Sequence, residues 1–166
     1  VKVRDEYPEN RAVKVWEKDG LVFSIVLQPG GYYCGYVRFP KRPVLERGYE
    51  GILTYVPVHG GITYAEQSPD GSMVYGFDCS HVDDWTIHSP KGKFWTIREV
   101  KEEAEKMAIG IKVVAKYELE YLTASTEEER AKVIDRYHRE LREKYGIMFN
   151  LRDNFGAMLN VLAGTL

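Results

Sequence analysis

Three of the four histidines, His59, His81 and His88, fall within a span of thirty residues, beside a run of carboxylates. In Gly76-Phe77-Asp78-Cys79-Ser80-His81-Val82-Asp83-Asp84, Asp78, His81 and Asp84 recur at every third position. In a tight 3₁₀-like turn such positions project to one side. One imidazole and two carboxylates on one side suit a divalent metal, and His59, delivered from a neighbouring strand, would complete the shell. The same groups can also act without metal, as an acid/base pair of His59 and His81 with Asp78 as orienting carboxylate. In His59-Gly60-Gly61-Ile62-Thr63 the Gly60 and Gly61 amides could approach an anion closely, because no Cβ obstructs them, and Thr63 adds a hydroxyl. Arg38, Lys41 and Arg42, between and beside Pro40 and Pro43, make a stiff basic edge that could steer a phosphate.

These residues predict a small hydrolase or lyase acting on a nucleotide or other phosphate-bearing small molecule. His59, His81 and Asp78 are the expected catalytic groups. Gly60, Gly61, Thr63, Arg38 and Arg42 are expected to hold the ligand, and His59, Asp78, His81 and Asp84 to hold a divalent metal. The alternative is a non-catalytic binding protein in which the same cluster is a recognition pocket or a turn scaffold, since Asp commonly caps turns. Cys79, between Asp78 and His81, reads as a small buried residue rather than a nucleophile, and Cys34 as a strand residue. With nothing pointing to export, both are expected as free thiols.

Something must carry these residues, and turn-formers show where. All seven Pro and eleven of the fifteen Gly precede Glu99. Strands are predicted from Val13, over Leu21–Leu27, Tyr32–Phe39, Ile52–Val58 and Met73–Phe77. Asp19-Gly20 makes a two-residue hairpin between the first two. Seven tyrosines between Tyr32 and Tyr75 fit strand positions. From Glu99 onward the spacing predicts a long helix with Val100, Ala104, Met107, Ala108, Ile111, Val114, Ala115 and Leu122 on one face. Ser125 and Glu128 form a capping box opening a second helix, with Ile134, Tyr137, His138, Leu141 and Tyr145 as its stripe and Gly146 as its end. A third helix is expected near Asn150. Strands first and helices after give one α+β domain over 1–166: a largely antiparallel sheet over about 13–98 and two or three helices over about 99–166.

The pieces Gly35-Tyr36-Val37, Pro40 and Pro43, Val58-His59-Gly60-Gly61-Ile62-Thr63-Tyr64, and Gly76-Phe77-Asp78-Cys79-Ser80-His81 with Asp84 resemble a family of small uncharacterised proteins common in phage and prophage genomes. The combination of H-G-G-x-T with G-F-D-x-x-H-x-x-D carries the likeness, which covers under half the chain. Where the family pattern often has a His before the second Pro, this chain has Arg42. The resemblance implies no particular reaction. It points to the same residues and to phage-type roles, such as interference with host defence, host-protein inhibition, ligand sequestration or nucleotide metabolism.

Composition bounds the rest. With 166 residues, 44% hydrophobic and 29% charged, the chain is long enough for a full core and too rich in apolar residues for disorder. A net charge of −2 argues against bulk nucleic-acid binding. No apolar run suits a membrane span or a signal peptide, so a cytoplasmic protein is expected. The apolar stretch Met158–Leu166 is costly to leave in water, and the expectation is that the last helices build a homodimer.

Overall fold

A computed structural model describes residues 7–154. It is an α+β structure: a five-stranded antiparallel sheet followed, among the described residues, by three helices. The strands are β1 (Lys14–Lys18), β2 (Leu21–Leu27), β3 (Tyr33–Phe39), β4 (Tyr64–Gln67) and β5 (Met73–Asp78), in the order β1-β2-β3-β5-β4. Asp19 and Gly20 both take positive φ, 53° and 77°, as the expected tight hairpin between β1 and β2 requires. Every strand pair is antiparallel, with Gly35 opposite both Ile25 and Phe77, and Cys34 opposite both Val26 and Asp78.

Alternation then sorts the two faces. Phe23, Ile25, Val37, Tyr75 and Phe77 point inward to the main core. Val26, Cys34, Tyr36 and Val74 form a smaller apolar cluster on the other face, beside the short 3₁₀ turn Pro8–Arg11. The inner face is covered by α1 (Ile97–Val114), whose Val100, Ala104, Met107 and Ile111 are buried against it. Gly35 permits this approach: a Cβ there would fall 2.5 Å from the Phe77 ring and 3.2 Å from Val100. Thr96 caps α1 in a capping box with Glu99.

The helical half departs from its sequence reading in three places. The long helix ends at Val114, because Lys116 and Tyr117 donate to carbonyls three residues back and tighten the turn. A short α2 (Glu118–Thr123) follows, and Leu122, expected on the buried face, is exposed. The break puts Glu118 under the 40–50 loop, where its buried carboxylate accepts from the amides of Leu45 (2.6 Å) and Glu46 (3.0 Å). The helix α3 (Glu127–Tyr145) is capped one residue later than expected, by Thr126 with Glu129, and ends at Gly146. Ser125 and Thr126 both have Glu at the third position on, so spacing alone does not choose between them. Of the α3 stripe, Ile134, Tyr137 and Leu141 are buried, whereas Tyr145 is exposed.

Ile52–Val58, expected as a strand, is a 3₁₀ turn (Gly51–Tyr55) continued by an extended segment. Its Ile52, Leu53, Val56 and Val58 are nonetheless all in the core. Continuous burial produces the same apolar run whether or not a strand forms. The strand the sequence hid is β4, a half-exposed edge with little apolar alternation. The expected helix from Asn150 and the apolar Met158–Leu166 segment fall largely outside the described residues; Leu151–Asn154 form a turn. No helix among the described residues is long and apolar enough to cross a membrane.

Candidate metal centre

β5 runs out at Asp78, and the chain turns at once. The Asp78 carboxylate Oδ1 accepts from the Ser80 amide (3.1 Å) and hydroxyl (2.8 Å), an Asx turn. A second turn closes where the Asp84 amide donates to the His81 carbonyl and the His81 amide donates back to Asp84 Oδ2 (3.0 Å). The loop is then tied to its own far end, by Trp85 to Lys93 and Lys93 to Asp83, and to the β2–β3 hairpin by Ile87 to Gly30. These bonds fix Asp84, which is 2% exposed, beneath the site.

His59 arrives from the segment after the 3₁₀ turn. Its amide donates to Glu103 on α1 (2.9 Å). Its Nε2 lies 2.7 Å from Asp84 Oδ2, and its ring rests 4.2 Å from that of Trp95, whose indole N–H donates to Asp84 Oδ1 (2.9 Å). The His81 ring stands nearly perpendicular to His59, centroids 5.1 Å apart. One potential ligand atom from each of His59, His81 and Asp84 lies within 4.8 Å of the others. Burial pushes the Asp84 pKa up, but the hydrogen bonds from His59, the His81 amide and Trp95, with the charge of His59, outweigh it and hold the carboxyl below its usual value. Asp84 is therefore an anion at neutral pH.

His81 Nε2 is the unusual atom. It is shut off from solvent and has no hydrogen-bond partner among the described residues; Asp78 Oδ1, at 3.4 Å, makes no hydrogen bond to it. It lies directly against Gly60, where a Cβ would fall inside the imidazole. Gly60 also holds a φ of +73°. Glycine is thus required twice at this position, by backbone and by neighbour.

Of the predicted metal ligands, the structure groups His59, His81 and Asp84. Asp78 stands at the edge, touching His81 while accepting the Thr63 hydroxyl (3.0 Å) on its other oxygen. The anion cradle expected at Gly60-Gly61 is not presented. The Gly60 amide donates to the Asp153 carbonyl and the Gly61 amide to that of Val58. Arg38 is likewise committed elsewhere: it forks onto Glu9 (2.9 and 3.0 Å), donates to Ser68 and Ser72, and stacks on Tyr7. Arg42 is half-buried in the loop after β3. Cys79 is buried and its thiol is pushed far up by burial, which leaves no thiolate nucleophile. Both cysteines are free.

Sequence reasoning missed Trp95, Glu103 and Asn154. Asn154, 1% exposed, donates to the Val56 carbonyl (2.7 Å) and accepts from the Val58 amide (3.4 Å). Its amide thus serves the extended segment as a neighbouring strand would. With Asp153 on Gly60, it holds the His59 loop from the far end of the chain. Nothing local to any of these residues marks them out; each acts through a partner at least eleven positions away. No protein-family model, curated protein or solved structure matches this chain.

Proposed function

We propose that the protein is a small metal-dependent hydrolase acting on a nucleotide or other phosphate-bearing small molecule, with a divalent cation held by His59, His81 and Asp84. The observation that carries this reading is His81 Nε2, a buried imidazole nitrogen with no hydrogen-bond partner among the described residues, in a group with an ionised carboxylate and a second imidazole. A buried polar atom left unpaired costs about 1–3 kcal/mol, and a cation among the three groups removes that cost. Two His and one carboxylate are a ligand set of hydrolytic zinc sites, with a further position left for water or substrate. The cation would supply the positive charge for a phosphate that the occupied Gly60 and Gly61 amides and Arg38 do not. Asp78, beside His81, is placed to orient a ligand imidazole or to accept a proton from bound water.

The test is turnover. Protein loaded with Zn²⁺ or Mn²⁺ is expected to hydrolyse at least one member of a panel of nucleotides and phosphomonoesters. His59→Ala and His81→Ala should both abolish that turnover; His81→Ala should leave the melting temperature of the metal-free protein nearly unchanged, whereas His59→Ala should lower it, because buried Asp84 loses its 2.7 Å partner.

One observation favours a second reading, a binding protein of phage type with this cluster as a turn scaffold. Asp84 already accepts from three groups and closes the loop without any ion. On that reading each histidine substitution lowers stability by about 1–3 kcal/mol and no substrate turns over.

A further inference from the structure

The outer face of the sheet carries a cleft of about 300 Å³ that shares only Asp78 with the hydrolase reading. Tyr32, Tyr36 and Tyr64 line it, together with Thr63, Asp78 and Ser80. Register explains the grouping. Tyr36 of β3 and Tyr64 of β4 both sit opposite Gly76 of β5, so nothing rises between the two rings. They meet edge to face, centroids 5.3 Å apart and planes at 85°, and so make two adjoining walls. Asp78, two residues on from Gly76 on the same face, stands at the end of these walls.

The charge of this cleft is one-sided. Asp78 is the only charged residue lining it among the described residues. Among the described residues, the cation that acts on Cys34 and Tyr36 is Arg11, which is exposed and is not part of the lining. The bonds from Ser80 and Thr63 fix the Asp78 carboxylate in place, with His81 Nε2, outside the cleft lining, 3.4 Å from its Oδ1. Aromatic faces around a carboxylate attract an organic cation, through the ring quadrupoles and the negative charge together. They repel a phosphate. The volume suits a small molecule.

We propose that this cleft binds the ammonium group of a small organic amine, with Tyr32, Tyr36 and Tyr64 as its aromatic walls and Asp78 as its counter-charge. The cleft shares Asp78 with the centre at His59, His81 and Asp84, so its binding is measured with that centre free of metal.

Titration calorimetry and ligand-observed NMR on the full chain, with chelator present, test it using choline and putrescine as probes. The neutral isostere of choline, 3,3-dimethylbutan-1-ol, is the control. The expected result is saturable binding of at least one cation, at least tenfold tighter than the neutral isostere. Asp78→Asn should weaken that binding at least tenfold, and Tyr64→Leu should weaken it as well. His59→Ala should leave it unchanged, which separates this site from the metal centre. No saturable binding of either cation, equal binding of the neutral isostere, or an Asp78→Asn protein that binds as wild type would overturn the proposal.

Discussion

At the residue scale, Asp84 and Gly60 decide whether the centre exists. Asp84→Ala leaves the Trp95 indole N–H, the His81 amide and His59 without their acceptor. The expected cost is about 2–4 kcal/mol, measured by urea unfolding, because buried donors then go unpaired. A cost below about 1 kcal/mol would mean that water takes over these bonds. Gly60→Ala should push the His81 ring out of place and strain a left-handed backbone. The check is a His81 imidazole NMR shift together with at least tenfold weaker metal binding. The grouping of side chains at this scale was largely legible in the sequence. Type and spacing point to His59, Asp78, His81 and Asp84, because imidazoles and carboxylates bunched in a short, turn-rich stretch are readable from residue letters, and the structure groups three of these four. What the letters did not carry was hydrogen bonding. The Gly60 and Gly61 amides looked available until their acceptors, Asp153 and Val58, were placed.

At the element scale, the site hangs on three supports that are distant in sequence: the turn after β5, Glu103 on α1, and the Asn150–Asn154 segment. Asn154→Ala should destabilise by about 1–3 kcal/mol, since both the Val56 carbonyl and the Val58 amide are buried with it. It should also speed amide exchange at Val58 and Gly60 relative to β2 and β3. Equal protection of that loop in variant and wild type would show that the clamp is dispensable. The sheet was readable where pattern and turn chemistry agreed, as in β2, the Asp19-Gly20 hairpin and β5. It was not readable at Ile52–Val58, where burial without pairing mimics a strand, nor at β4, whose edge position removes the apolar signal. The break between α1 and α2 was hidden for a related reason: the apolar spacing runs on through it, and the buried Glu118 bonding to the 40–50 loop is a tertiary demand.

At the scale of the whole molecule, acid should act in two windows. Burial lowers the His138 pKa, opposed only in part by the Tyr55 carbonyl. The unfolded chain therefore takes up a proton first, and stability is lost as pH falls below about 6.5 towards the lowered native value. Asp84, whose native pKa is depressed, contributes stability that is full above about pH 4 and is lost as pH falls through the native value. Melting temperature against pH checks both: His138→Gln should flatten the upper window and Asp84→Asn the lower. Deleting residues 150–166 should weaken metal binding as well as lower the melting temperature, because Asp153 and Asn154 leave with the segment. Light scattering on the same pair of proteins tests the homodimer expected from the apolar tail, and a monomeric full-length chain would refute it.

The central claim is that His59, His81 and Asp84 bind a metal together, and metal stoichiometry tests it most directly. Purified protein is stripped with chelator, reloaded with Zn²⁺, desalted and analysed for bound metal. The account predicts about one Zn²⁺ per chain in wild type, and a loss to background in His59→Ala and His81→Ala proteins that still melt cooperatively. A folded wild type that retains no metal, or histidine variants that retain as much as wild type, would contradict it.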